Sequence, residues 1–186
     1  NCGIGRHSIA LAHHDIQVLG TDISPHYIQI ATSKAGEEKV SDRAKFKVAD
    51  MRQIASSLPD EPPFDGIVCL WTSFGFYDDK TNENILHDYL KLVTPVGFFS
   101  LDIVNKDWLL HNYPEKGFSR YNDWIVLEER KLDLKKSRNH NTWFFLKQTE
   151  ELTFKVENII ELDHHIWSLP ELITLFKSTG WGFKAA

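Results

Sequence analysis

Asn1-Cys2-Gly3-Ile4-Gly5-Arg6-His7-Ser8-Ile9-Ala10-Leu11-Ala12 is a tight glycine turn that runs directly into an apolar helix. Glycines at 3 and 5 permit positive φ and leave no Cβ to keep a ligand away, while a helix starting near Arg6 aims free N–H groups at the same spot. An anionic or zwitterionic ligand group is favoured there. The fingerprint G-x-G-x-x-G/A, which closes around a pyrophosphate, asks for a small third residue, and here that position holds Ser8. A G-x-G alone decides little, so the reading depends on the residues downstream.

Working outward, Ile16 to Thr21 reads as a short strand ending at Asp22, which lies 17 residues beyond Gly5. A carboxylate at this strand end can accept hydrogen bonds from both hydroxyls of a ribose. The competing reading is a turn or capping carboxylate, and the glycine turn at this spacing tips the choice to the ribose. Ser24-Pro25 supplies an N-cap and a proline at the first helical position, opening a helix on which Tyr27, Ile30 or Ala31, and Ala35 recur. Ala44 to Ala49 alternates apolar and basic residues as a strand near a sheet edge, and it ends at Asp50-Met51.

A loop with Pro59, Pro62 and Pro63 leads to Phe64–Trp71, an almost continuous apolar run of the kind a central parallel strand needs. Asn82 to Val93 is a helix with Ile85, Leu86, Tyr89, Leu90 and Val93 on one face, and Thr94 to Gly97 turns into a strand at 98–103. Strand and helix alternate up to this point, which predicts an α/β fold with a doubly wound, mainly parallel sheet. From Asn105 the pattern changes. Asp123 to Leu134, Arg138 to Lys147 and Leu152 to Trp167 read as an antiparallel β addition at about 105–167, before a last helix that Ser168 caps and Gly180 ends.

With 186 residues, 42% hydrophobic and 25% charged, the chain has room for one substantial core, so residues 1–186 are expected to form a single domain. A net charge of −5 gives no overall footprint for a polyanion, and no nucleic-acid partner is expected. Cys2 and Cys69 suggest neither a disulfide framework nor a metal site, which fits free thiols in the cytoplasm. No apolar run reaches the roughly 18 residues needed to span a bilayer. The adjacent pairs His13-His14 and His164-His165 diverge on any regular element, so no metal site is indicated.

The turn, Asp22 and Asp50, in this order, resemble motifs of the class I S-adenosylmethionine (SAM)-dependent methyltransferases. The opening is similar to motif I of bacterial members reading C-G-x-G-R-H-S, with Gly3 and Gly5 matching and Asn1 standing where a small residue is common. The resemblance implies a Rossmann-like fold with SAM as cofactor. Asp22 is then the ribose acid and Asp50 the acceptor for the adenine amino group, with Ile23 and Met51 against the ring and Leu70 at the end of the fourth strand. Core filling is the competing role for Ile23 and Met51. It also implies missing flanking strands, so the chain is expected to be cut at both ends. Thr72 to Asp79 departs from the D/N-P-P-Y/F sequence of amino-methylating nucleic-acid enzymes, and no Pro-Cys pair is present for pyrimidine C5 chemistry. The segments Trp108-Leu109-Leu110, Leu127 to Arg130 and Trp167-Ser168-Leu169 look like those of bacterial small-molecule methyltransferases.

Trp71, Phe74 and Tyr77 follow the fourth strand, where ligands of open α/β folds collect, and are the substrate-side candidates beside a core role. His164 joins them, since one of His164 and His165 is expected to face the acceptor and assist its deprotonation. No catalytic base is compelled by the sequence. The function expected is methyl transfer to a small molecule. The alternatives are a noncatalytic SAM-binding module and an NAD-dependent oxidoreductase, the latter disfavoured by Ser8 and by the second acid at Asp50.

Overall fold

The computed structural model describes residues 1–151 and 153–186. They form two compact units, one of residues 1–69 and 83–100, the other of residues 70–82 and 101–186.

In the first unit, α1 (Arg6–Ala12) follows the glycine turn and leads to β1 (Val18–Asp22). Ser24 caps α2 (Pro25–Glu37) by accepting from the Tyr27 N–H at 3.2 Å, with Pro25 in the first turn. β1 then pairs in parallel with β2 (Ala44–Val48), from Val18 opposite Ala44 to Asp22 opposite Val48. Ile9, Ala12, Ala35, Val40 and Ala44 bury themselves around this pair with the ring of Phe46 against them. That ring dictates glycine twice, since a Cβ at Gly5 would meet it at 2.9 Å and one at Gly20 at 2.7 Å. Met51–Gln53 makes a single 3-10 turn before the short α3 (Ile54–Ser57). A second hydrogen-bonded pair joins β3 (Phe64–Cys69) and β4 (Val93–Leu101), with α4 (Asp79–Leu92) between them in sequence. β4 starts within the segment read as a turn. Pro95 is the third residue of β4, near the strand's start, where a missing N–H is best tolerated.

The second unit is built on an antiparallel meander. After α5 (Lys106–His111) come β5 (Lys116–Tyr121), β6 (Trp124–Asp133), β7 (Arg138–Glu150) and β8 (Thr153–His165), paired in that order. Sequence pattern marks neither α5 nor β5, since Asn105 is the only strong cap signal there and Lys116 to Tyr121 has too few apolar residues to alternate clearly. The expected strand start at Leu152 lies outside the described residues. α6 (Leu169–Ser178) opens with a capping box in which the Ser168 hydroxyl accepts from the Glu171 N–H and Glu171 accepts from the Ser168 N–H at 2.7 Å. The fold is thus α/β, with parallel strand pairing and an antiparallel sheet before the last helix.

Candidate functional site

Three chain segments of the first unit converge on Asp22. The Gly3 N–H donates to Asp22 Oδ2 at 2.8 Å and the Ser24 N–H to Asp22 Oδ1 at 3.0 Å. The Ala49 N–H donates to the Asp22 carbonyl at 2.9 Å, and the Cys2 N–H to that of Thr21 at 2.8 Å. One carboxylate therefore fixes the glycine turn against the end of β1. Each of its oxygens keeps an acceptor lone pair after these bonds, although the residue is only 8% exposed.

Gly3 and Gly5 both have positive φ, at 54° and 82°. Their surroundings differ. Nothing lies within 4 Å of a Cβ built at Gly3, whereas Gly5 is hemmed in by Ala31 and Phe46. Gly5 is required by packing, and Gly3 by its backbone angle beside open space. Ile23 is 53% exposed, and Met51 is buried, with its sulfur 3.4 Å from the Asn1 side-chain amide. Asp50 is engaged locally. Its Oδ1 accepts the Arg52 N–H at 2.9 Å and both oxygens face the Arg52 guanidinium, whose hydrogen bonds hold the carboxyl below its usual range. Residues 1–5, 22–23 and 50–51 thus meet at one end of the parallel pair. Burial pushes the Cys2 thiol up to about 11, which leaves it protonated and poorly nucleophilic at neutral pH.

Leu70, Trp71, Phe74, Tyr77 and His164 belong to the second unit. Phe74, expected on the substrate side, is fully buried with its ring 6.1 Å from that of Trp167. The loop that carries it is fastened to β7 and β8. Arg138 donates to the carbonyls of Gly75 and Tyr77 and to Asp163 Oδ1, and the His165 N–H donates to the Gly75 carbonyl at 2.8 Å. His164 is half-buried with its ring edge toward Phe76. His165 is the more buried of the two, stacked on Trp167 at 3.7 Å, with Nδ1 3.2 Å from Asp79 Oδ1. Its Nε2 is buried with no hydrogen-bond partner among the described residues. Burial lowers both histidine pKa values, and the Asp79 carboxylate opposes the shift at His165. Sequence reasoning misses Arg138 and Asp79 because their partners are loop carbonyls and a ring distant in sequence. Among the described residues, no group of three or more His, Cys, Asp or Glu is placed to hold a metal ion.

A family model described as a methyltransferase domain matches residues 1–97. No curated protein sequence matches the chain. Among solved structures, the CcbJ methyltransferase of Streptomyces caelestis is similar over 97% of this chain and 70% of its own, at a TM-score of 0.78 and 15% identity. An S-adenosylmethionine-dependent methyltransferase of Clostridium acetobutylicum covers 96% of this chain and 69% of its own, at 0.77 and 15%. A sugar N-methyltransferase of a Streptoalloteichus species covers 96% and 68%, at 0.71 and 14%.

Proposed function

Because the chain belongs to the methyltransferase-domain family, we propose that it binds S-adenosylmethionine and transfers its methyl group to an amino group on a small molecule. The observation that carries the cofactor reading is the clamp of Gly3 by Asp22, with open space where a Cβ would stand. These residues fit the cofactor. The free lone pairs of Asp22 suit the ribose hydroxyls, exposed Ile23 and buried Met51 suit the adenine ring, and Asp50 accepts the adenine amino group if Arg52 shares it. Leu70 keeps a cofactor-side role from its place directly after β3. When bound, the cofactor supplies a methyl group on a sulfonium, ready for in-line displacement. The chain's own task is to align the acceptor, exclude water and accept or release one proton.

Trp71, Tyr77 and His164 are the acceptor-side residues in this proposal. An amine as acceptor is supported by the fold's likeness to a sugar N-methyltransferase. It also suits a chain in which no residue is compelled to be a strong base. Residues 1–186 act in this reading as a single SAM-binding domain whose β-rich part at about 105–167 serves the acceptor. Cys2 and Cys69, neither of them in a disulfide, support a cytoplasmic setting. The test is release of S-adenosylhomocysteine in the presence of an amino pentose, an amino hexose and a catechol. Turnover with either amino sugar supports the proposal, turnover with the catechol alone moves the acceptor to oxygen, and SAM binding without turnover on any acceptor favours a noncatalytic module.

A further inference from the structure

Two and three residues beyond the end of β3, Trp71 and Thr72 adopt φ of 59° and 51°. Left-handed backbone is costly for an L-residue, and it is least tolerated by bulky and β-branched side chains. Among the described residues, the other non-glycine positions with positive φ are Asp15, Lys39, Asn122 and Ser137, none of them aromatic or β-branched and none adjacent to another. A chain that needed only a tight turn has glycine at hand, and uses it at Gly75 with φ 102°. Asp102 accepts from both backbone N–H groups of the strained pair. Asp102, next after β4, accepts the Trp71 N–H on Oδ2 at 3.0 Å, and its carbonyl accepts the Thr72 N–H at 2.9 Å. The side chain so held is not core, since Trp71 is 70% exposed while Phe74, three residues on, is fully buried. Strain that persists at an exposed aromatic is a mark of a ligand-side position.

We propose that Asp102 is a positioning residue that keeps the Trp71 indole presented as the stacking face for a cationic or planar amine acceptor. This rests on the amine reading above. An indole face attracts an ammonium group through its quadrupole, and the interaction is tolerant of the rest of the acceptor. The fixed turn spares the acceptor the entropy of ordering the ring.

The test titrates the protein with benzyltrimethylammonium, a stand-in for a methylated amine, by ligand-observed NMR, beside a SAM titration and a thermal melt. Trp71→Gly is expected to weaken the probe about two- to fivefold, to raise Tm by about 2–4 °C through relief of strain, and to leave SAM affinity unchanged. Asp102→Ala is expected to weaken the probe similarly and to lower Tm, and Asp102→Asn to restore probe binding, because its amide oxygen still accepts the Trp71 N–H. No probe binding by the wild type, or equal binding by Trp71→Gly, overturns the inference. So does a lower Tm in Trp71→Gly, which would make the indole a packing group. Loss of probe binding in Asp102→Asn as severe as in Asp102→Ala would remove the positioning role. If SAM fails to bind while the probe still depends on Trp71, the proposed function falls and the aromatic face stands.

Discussion

Asp22 serves two ends with one carboxylate, holding the Gly3 and Ser24 N–H groups and offering its remaining lone pairs to a ligand. Asp22→Ala is therefore expected to weaken SAM about ten- to a hundredfold, as loss of a charge-assisted hydrogen bond implies. It should also cost stability by about 1–3 kcal/mol, because two backbone donors lose their acceptor. Calorimetry and urea unfolding read the two effects, and a variant that loses stability while keeping full SAM affinity would reduce Asp22 to a clamp. Asp50→Ala is expected to weaken SAM more than an analogue lacking the adenine amino group, and equal losses would leave Asp50 as the partner of Arg52 alone. For His165 the pH dependence has a definite sign. Burial depresses its folded pKa below the unfolded value near ~6.5, so its contribution is present above that value and is lost as pH falls below it. The melting temperature should fall as pH drops from about 7 to 5, and His165→Gln should flatten that fall. An equally steep fall in the variant would assign it to other groups. Asp22 and the glycines are legible because their spacing encodes the strand between them, whereas the partners of His165 and Arg138 are not, since rings and loop carbonyls carry no sequence signal.

Elements are legible where their ends carry caps. Ser24-Pro25 and Ser168 start α2 and α6 as expected, because a side-chain oxygen there meets an otherwise unpaired N–H. Ser168→Ala should cost about 1 kcal/mol, a drop in Tm of about 2–4 °C, and an unchanged melt would mean that Lys106, which faces Glu171 at 3.2 Å, holds the helix start unaided. The long strands of the meander follow from their aromatic and β-branched content. Less legible are α5, β5 and the start of β4. Each is short, polar or proline-bearing, so its own sequence carries little periodic signal.

For the whole chain, the order of glycine turn, first acid and second acid points to one family, and the family model matches that same half of the sequence. Residues beyond 97 are readable from local pattern and likeness alone. Phe74 illustrates the limit, since an aromatic after a strand end reads the same whether it lines a pocket or fills a core. The proposed function depends on the ligand that the Gly3–Asp22 turn accepts. Isothermal titration calorimetry of the protein with SAM, S-adenosylhomocysteine and NAD measures this directly. Saturable binding of SAM and S-adenosylhomocysteine with no binding of NAD is the expected result, and binding of NAD with none of SAM would contradict it.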